Sequence, residues 1–154
     1  MICLDASVLV QWLLPEAHSA EVASLLMTTL TRRDTIVAPP LLPFEIANSL
    51  RKRVVRNLLP APDAERLLQR FDTLPISLRT PNRLHHRALE TAKDYGLPAV
   101  YDGCYIVLAH HLGCDFWTDD QRLLNTLNRR LPFVRWIGNY VLPTPSSVNP
   151  QSSS

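Results

Sequence analysis

The sequence predicts an α/β fold: a doubly wound, largely parallel sheet with helices on both faces. Two observations lead there. Short apolar runs alternate with longer stretches of helical period, joined by short connections, which is the pattern of parallel strands with crossover helices. Each of four such stretches also meets an acid at its edge: Met1–Leu4 runs into Asp5, Pro39–Phe44 into Glu45, Ala99–Tyr101 into Asp102, and Phe116–Thr118 into Asp119 and Asp120. Two of these acids end strand-like runs, and two fall in the first turn of a helix. In an open α/β sheet the carboxyl ends of the strands and the helix starts beside them form the ligand crevice, so the acids are expected to meet there.

Taken in order, Ile2–Leu4 reads as a short buried strand and Ser7–Leu14 as an apolar helix stopped near Pro15. Glu16–Thr31 reads as a second helix, with Val22, Leu25, Leu26, Thr29 and Leu30 on one side. Ile36–Ala38 is the next strand, ended by Pro39 and Pro40. A helix is predicted from Pro43 to about Asn57, with Ile46, Leu50 and Val54 as its core stripe and Phe44 core-like beside them. Pro62 to Glu65 opens another helix through Leu67, Leu68 and Phe71. Ile76–Leu78 alternates like a strand, and Asn82 is expected to cap a helix that runs to Tyr95 and stops at Gly96. Asp102–Leu112 is read as a helix ending at Gly113, Asp115–Thr118 as a strand, Gln121–Arg130 as a helix and Phe133–Ile137 as the last strand. The order of these elements predicts one domain over residues 1–142, while the Pro/Ser/Asn/Gln-rich segment 143–154 is expected to be a disordered tail.

Composition narrows the class. The chain has 154 residues, 46% hydrophobic and 19% charged, which is globular material, and its net charge of +2 identifies no nucleic-acid binder by itself. No apolar run approaches the roughly 20 residues that span a bilayer, and the apolar start lacks the basic lead-in of a leader, so a cytoplasmic location without membrane contact is expected. Cys3, Cys104 and Cys114 form no CxxC pair and read as core thiols. The pairs His85–His86 and His110–His111 cannot chelate from adjacent helical positions, and with His18 they are read as surface or boundary residues. The four glycines make no phosphate-binding loop.

Any one of these acids could be a helix cap, since Asp is a favoured N-terminal cap. Their recurrence in one small chain favours function. Converging carboxylates repel one another unless a hard divalent cation holds them together, and an all-oxygen set suits Mg²⁺ or Mn²⁺ better than zinc. With no nucleophile–base pair in sight, water activated by a metal is the chemistry these residues support.

Four blocks then carry a resemblance over Ile2 to about Ile137: Leu4-Asp5-Ala6-Ser7; Phe44-Glu45-Ile46-Ala47-Asn48; Tyr101-Asp102-Gly103-Cys104-Tyr105 with Leu108-Ala109; and Trp117-Thr118-Asp119-Asp120 with Arg122-Leu123. The sequence resembles the PIN-domain family, and within it the VapC-type toxins of toxin–antitoxin pairs. The resemblance implies a doubly wound sheet, Mg²⁺- or Mn²⁺-dependent endoribonuclease activity on an RNA substrate, a cognate antitoxin and a homodimer. By position it implies Asp5, Glu45, Asp102 and Asp120 as the metal-binding catalytic quartet, with Ser7 and Thr118 as polar residues beside the metal. The family commonly has a small residue where this chain has Asp119. Alignment assigns Asp120 as the ligand and Asp119 as the helix cap. Lys52 and Arg56, at offsets of seven and eleven from Glu45, are candidate contacts for the RNA backbone, with Arg51 and Arg53 flanking. The competing reading is a catalytically inactive PIN-like module that binds RNA or a partner. A dehalogenase-type phosphohydrolase is disfavoured, because that chemistry needs an Asp where Ser7 stands.

Overall fold

The computed structural model describes residues 1–142; the tail predicted over 143–154 lies outside the described residues. Five strands and seven helices follow in the order β1 (Ile2–Leu4), α1 (Ala6–Leu13), α2 (Ser19–Thr31), β2 (Ile36–Ala38), α3 (Leu42–Val55), α4 (Ala61–Asp72), β3 (Ile76–Leu78), α5 (Leu84–Tyr95), α6 (Val100–Leu112), β4 (Asp115–Thr118), α7 (Gln121–Leu127) and β5 (Val134–Trp136) among the described residues. The strands form one sheet in the order β3-β2-β1-β4-β5, every pair parallel. Consecutive residues of the inner strands, Cys3 and Leu4 in β1 and all of β2, are buried, so this sheet is covered on both faces as a parallel sheet must be.

The chain leaves β1 toward β2 and β3 on one side, then returns to place β4 and β5 on the other. The topology therefore switches between β1 and β4. Their carboxyl ends carry Asp5 and the Asp119-Asp120 pair, and Asp5 N–H extends the ladder by donating to Trp117 O at 3.0 Å. On the far side, α6 packs against β1, β4 and α5. Gly103 lets α5 and α6 approach closely: a Cβ there would lie 2.6 Å from the backbone oxygen of Ala88.

Several boundaries differ from expectation for local reasons. The second helix begins at Ser19, because Glu16 sits in a turn whose N–H donates to Ser19 Oγ at 2.8 Å. Asn82 is not the cap of α5; Arg83 takes that place with a left-handed backbone, φ 55°. The last helix stops at Leu127, because Asn128 and Arg129 both take positive φ and cannot continue it. The last strand ends at Trp136, and Ile137–Asn139 forms a 3₁₀ turn. Phe44 is not core: it is 77% exposed, whereas Ile46 and Leu50 are buried. The predicted ends at Gly96 and Gly113 hold, both in the left-handed region.

Candidate active site

Four elements deliver the four acids to one place. Asp5 follows β1 and caps α1, and Asp120 follows β4 and caps α7. Glu45 and Asp102 lie in the first turns of α3 and α6. All four line a cavity of about 350 Å³, together with Ser7, Ser49, Arg53, Glu16 and Asp119. Four helix N-termini thus flank the acids, and the positive ends of their dipoles offset part of the mutual repulsion. A larger groove of about 420 Å³ runs along α7 and β5, but no carboxylate lines it.

Asp5 is buried and most closely held. Its Oδ2 accepts from Thr118 Oγ1 at 2.6 Å and from Ser7 Oγ at 2.9 Å, while its Oδ1 takes only a long contact of 3.4 Å from Ser7 N–H. The two hydroxyls also tie down the end of β4: Asp119 N–H donates to Ser7 Oγ at 2.9 Å, and Asp120 N–H to Thr118 Oγ1 at 3.0 Å. Glu45 accepts from Tyr105 Oη at 2.5 Å through Oε2; Tyr105 is fully buried and stacked on Phe116. Asp120 spends Oδ1 on the backbone of α7, accepting from Arg122 N–H at 2.8 Å and Leu123 N–H at 3.2 Å. Among the described residues, Asp120 Oδ2, Glu45 Oε1 and both oxygens of Asp102 accept no hydrogen bond.

Burial and neighbouring charge make Asp5, Glu45 and Asp102 reluctant to ionise. Burial raises Asp5 above its ordinary value, offset in part by the Thr118 and Ser7 donors and reinforced by Asp120. Glu45 is pushed up to about 7, by burial first and then by Asp5 and Asp102, against the Tyr105 hydrogen bond that lowers it. Asp102 is pushed up to about 6 by burial, with Asp5 and Asp120 adding to it. Among the described residues no three His, Cys, Asp or Glu side chains lie close enough together to hold an ion as they stand.

Three residues sit differently from the sequence reading. The cap of α7 is Asp120, not Asp119, because the helix starts one residue later than a cap at Asp119 requires. Lys52 and Arg56 are exposed and do not line the cavity; Arg53 does. Arg53 lies seven residues after Ile46 and three after Leu50, both buried, so it rides the packed edge of α3. From there its side chain leans back to Ser49 Oγ at 2.7 Å and to Glu16 at 2.5 Å. The sequence reading missed Glu16 as a cavity residue, whereas Ser49 lies, with Asn48, on the helix face it reads as following Glu45. The spacing Glu45, Ser49, Arg53 is the available signal for Arg53. His18, read as a boundary residue, is half-buried and bonds Asp119 at 2.9 Å.

Comparison with known proteins agrees with the fold and the family. The PIN domain family model matches residues 2–128. Ribonuclease VapC12 of Mycobacterium tuberculosis is 32% identical over 123 residues, covering 80% of this chain and 89% of that protein. Ribonuclease VapC9 of the same organism is 30% identical over 134 residues, covering 87% and 97%. The crystal structure of PAE2754 from Pyrobaculum aerophilum shares the fold, with a TM-score of 0.65 at 20% identity over 89% of this chain and 90% of that one.

Proposed function

Since the chain belongs to the PIN domain family, we propose that it is a Mg²⁺-dependent endoribonuclease, the toxin of a toxin–antitoxin module, with Mn²⁺ able to substitute. One observation carries the reading: four carboxylates from four separate elements line one cavity at the switch point of the sheet, three of them with an oxygen left open. The relatives named as VapC ribonucleases support the choice of RNA as substrate and of an antitoxin as partner.

The donor chemistry fits a hard divalent cation, because every side-chain donor in the quartet is oxygen. Asp5 and Asp102 are assigned as inner ligands, Asp120 as completing the set, and Glu45 as a ligand or the base that orients water. A bound cation supplies a more acidic water, orientation of the phosphate and relief of charge on the departing oxygen. The chain supplies the rest. Ser7 and Thr118 hold Asp5 against the end of β4. Tyr105 holds Glu45 in place by donating to its Oε2, which leaves Oε1 to bind an ion or orient water. Arg53 brings a positive charge to the cavity wall, where it contacts a phosphate without reading a base. A homodimer and a cytoplasmic location belong to the same proposal. Among the described residues no helix is long and apolar enough to cross a membrane.

Purified protein is expected to cleave RNA with Mg²⁺ or Mn²⁺ and to stop in EDTA. Cleavage that survives exhaustive chelation refutes the metal assignment. RNA binding with no cleavage, unchanged in Asp5→Asn, favours the inactive binding module instead.

A further inference from the structure

Asp119 stands between Thr118 and Asp120 at the cavity, yet its carboxylate is taken up by partners from other elements. Its Oδ1 accepts from His18 Nδ1 at 2.9 Å and from Trp136 Nε1 at 3.1 Å, and its Oδ2 accepts from the side-chain amide of Gln11. Gln11 is buried, and its Oε1 accepts from His18 N–H at 2.9 Å. The His18 ring packs edge-on against Trp136, with centroids 5.3 Å apart. One side chain thereby joins α1, the turn before α2, the end of β4 and β5. Three of its four lone-pair sites are occupied, which leaves it poorly suited to ligate an ion.

We propose that Asp119 is a positioning residue: clamped by Gln11, His18 and Trp136, it fixes the turn between β4 and α7 so that Thr118 reaches Asp5 and Asp120 faces the cavity. The inference rests on the metal-dependent nuclease reading of that cavity. The physical logic is rigidity. The turn holding Thr118 and Asp120 has no strand partner beyond Trp136, so without the clamp its place is set by the Ser7 and Thr118 hydroxyls and by the start of α7 alone. A misplacement of about 1 Å at a reacting group costs on the order of 100-fold in rate.

The test is a reciprocal swap in the full-length protein. Asp119→Asn turns an amide NH₂ toward the Gln11 NH₂, so the pair loses its hydrogen bond. Adding Gln11→Glu restores it with donor and acceptor exchanged, keeps an oxygen for His18 N–H, and returns the original net charge. Asp119→Asn is expected to lower kcat roughly 10- to 100-fold with KM little changed. It is also expected to weaken Mn²⁺ binding measured by electron paramagnetic resonance. In metal-free protein it should speed hydrogen exchange at the Asp120 amide. The Gln11→Glu/Asp119→Asn protein should recover most of each loss, and Trp136→Phe, which removes one donor, should show smaller losses of the same kind.

A lower melting temperature in Asp119→Asn with kcat, Mn²⁺ affinity and Asp120 exchange all within twofold of wild type overturns the proposal, since the clamp is then only structural. Loss of Mn²⁺ binding that the swap does not recover overturns it too, since Asp119 is then a ligand. If Asp119→Asn does not fold, Trp136→Phe decides by the same readouts. If the wild type neither binds Mn²⁺ nor cleaves RNA, the nuclease reading fails separately. The clamp then stands on exchange alone: Asp120 protection lost in Asp119→Asn and regained in the swap supports it, and unchanged protection overturns it.

Discussion

Metal-free protein should become less stable as pH rises from about 4.5 to 8, the reverse of what acid-labile salt bridges produce. Folding raises Glu45 from 4.5 to about 7 and Asp102 from 3.8 to about 6, each chiefly by burial. A carboxyl raised in this way binds its proton more tightly folded than unfolded. Its contribution to stability is full below the unfolded value and is lost as pH climbs through the folded one, here between about 4 and 7. At about 1.36 kcal/mol per tenfold change in proton affinity, each group is worth about 3 kcal/mol at face value. Both side chains are only half-buried, so water screens them, and the repulsions that raise them are partly shared. The two together then amount to roughly 2 kcal/mol, or about 4–8 °C in melting temperature for a domain of this size. The assay is a series of thermal melts in EDTA across that pH range, for wild type and Glu45→Gln. Wild type should lose melting temperature toward pH 8, Glu45→Gln should give a flatter profile, and added Mg²⁺ should restore stability at pH 8 far more than at pH 4.5. A wild-type melting temperature that is flat or rising from pH 5 to 8 refutes the electrostatic reasoning.

Asp5→Asn should abolish RNA cleavage while raising the metal-free melting temperature, because a buried carboxylate in a repelling cluster is removed; gel assays and melts check both. Asp120→Asn should be inactive yet still cap α7, since Asn caps as well as Asp, whereas Asp120→Ala should also lose about 1 kcal/mol in denaturant unfolding. In RNA titrations at several salt concentrations, Arg53→Gln should flatten the slope of log affinity against log salt by roughly 0.7, the value for one phosphate contact on a single strand. The Lys52→Gln/Arg56→Gln protein, altered only outside the cavity, tests whether that exposed face adds further phosphate contacts; an unchanged slope removes it from the RNA path. Gly103→Ala should cost about 2–3 kcal/mol by forcing α5 and α6 apart, read as a lower denaturation midpoint.

The sequence by itself determined the strands, most helix ends and the positions of the acids, because each depends on local backbone rules. Three or four apolar residues make a buried strand, glycine at 96 and 113 tolerates the left-handed turn that ends a helix, and an acid after such a run falls at the crevice edge wherever the strand packs. Tertiary structure alone decided which partner each polar group took. Asp119 and Asp120 are equivalent as cap candidates in one dimension. They part ways because Gln11, His18 and Trp136 arrive from other elements to claim Asp119, leaving Asp120 to start α7. Lys52 and Arg56 share helical offsets with Glu45 yet stay outside the cavity because the buried Ile46 and Leu50 set which way α3 faces, and Glu16 meets Arg53 only because the chain turns back after α1. Phe44 looked apolar enough for the core, but the first turn of α3 buries Leu42 and Ile46 and turns the residue between Pro43 and Glu45 outward. Backbone preference is written residue by residue; the choice of a hydrogen-bond partner 100 residues away is made only when the elements pack.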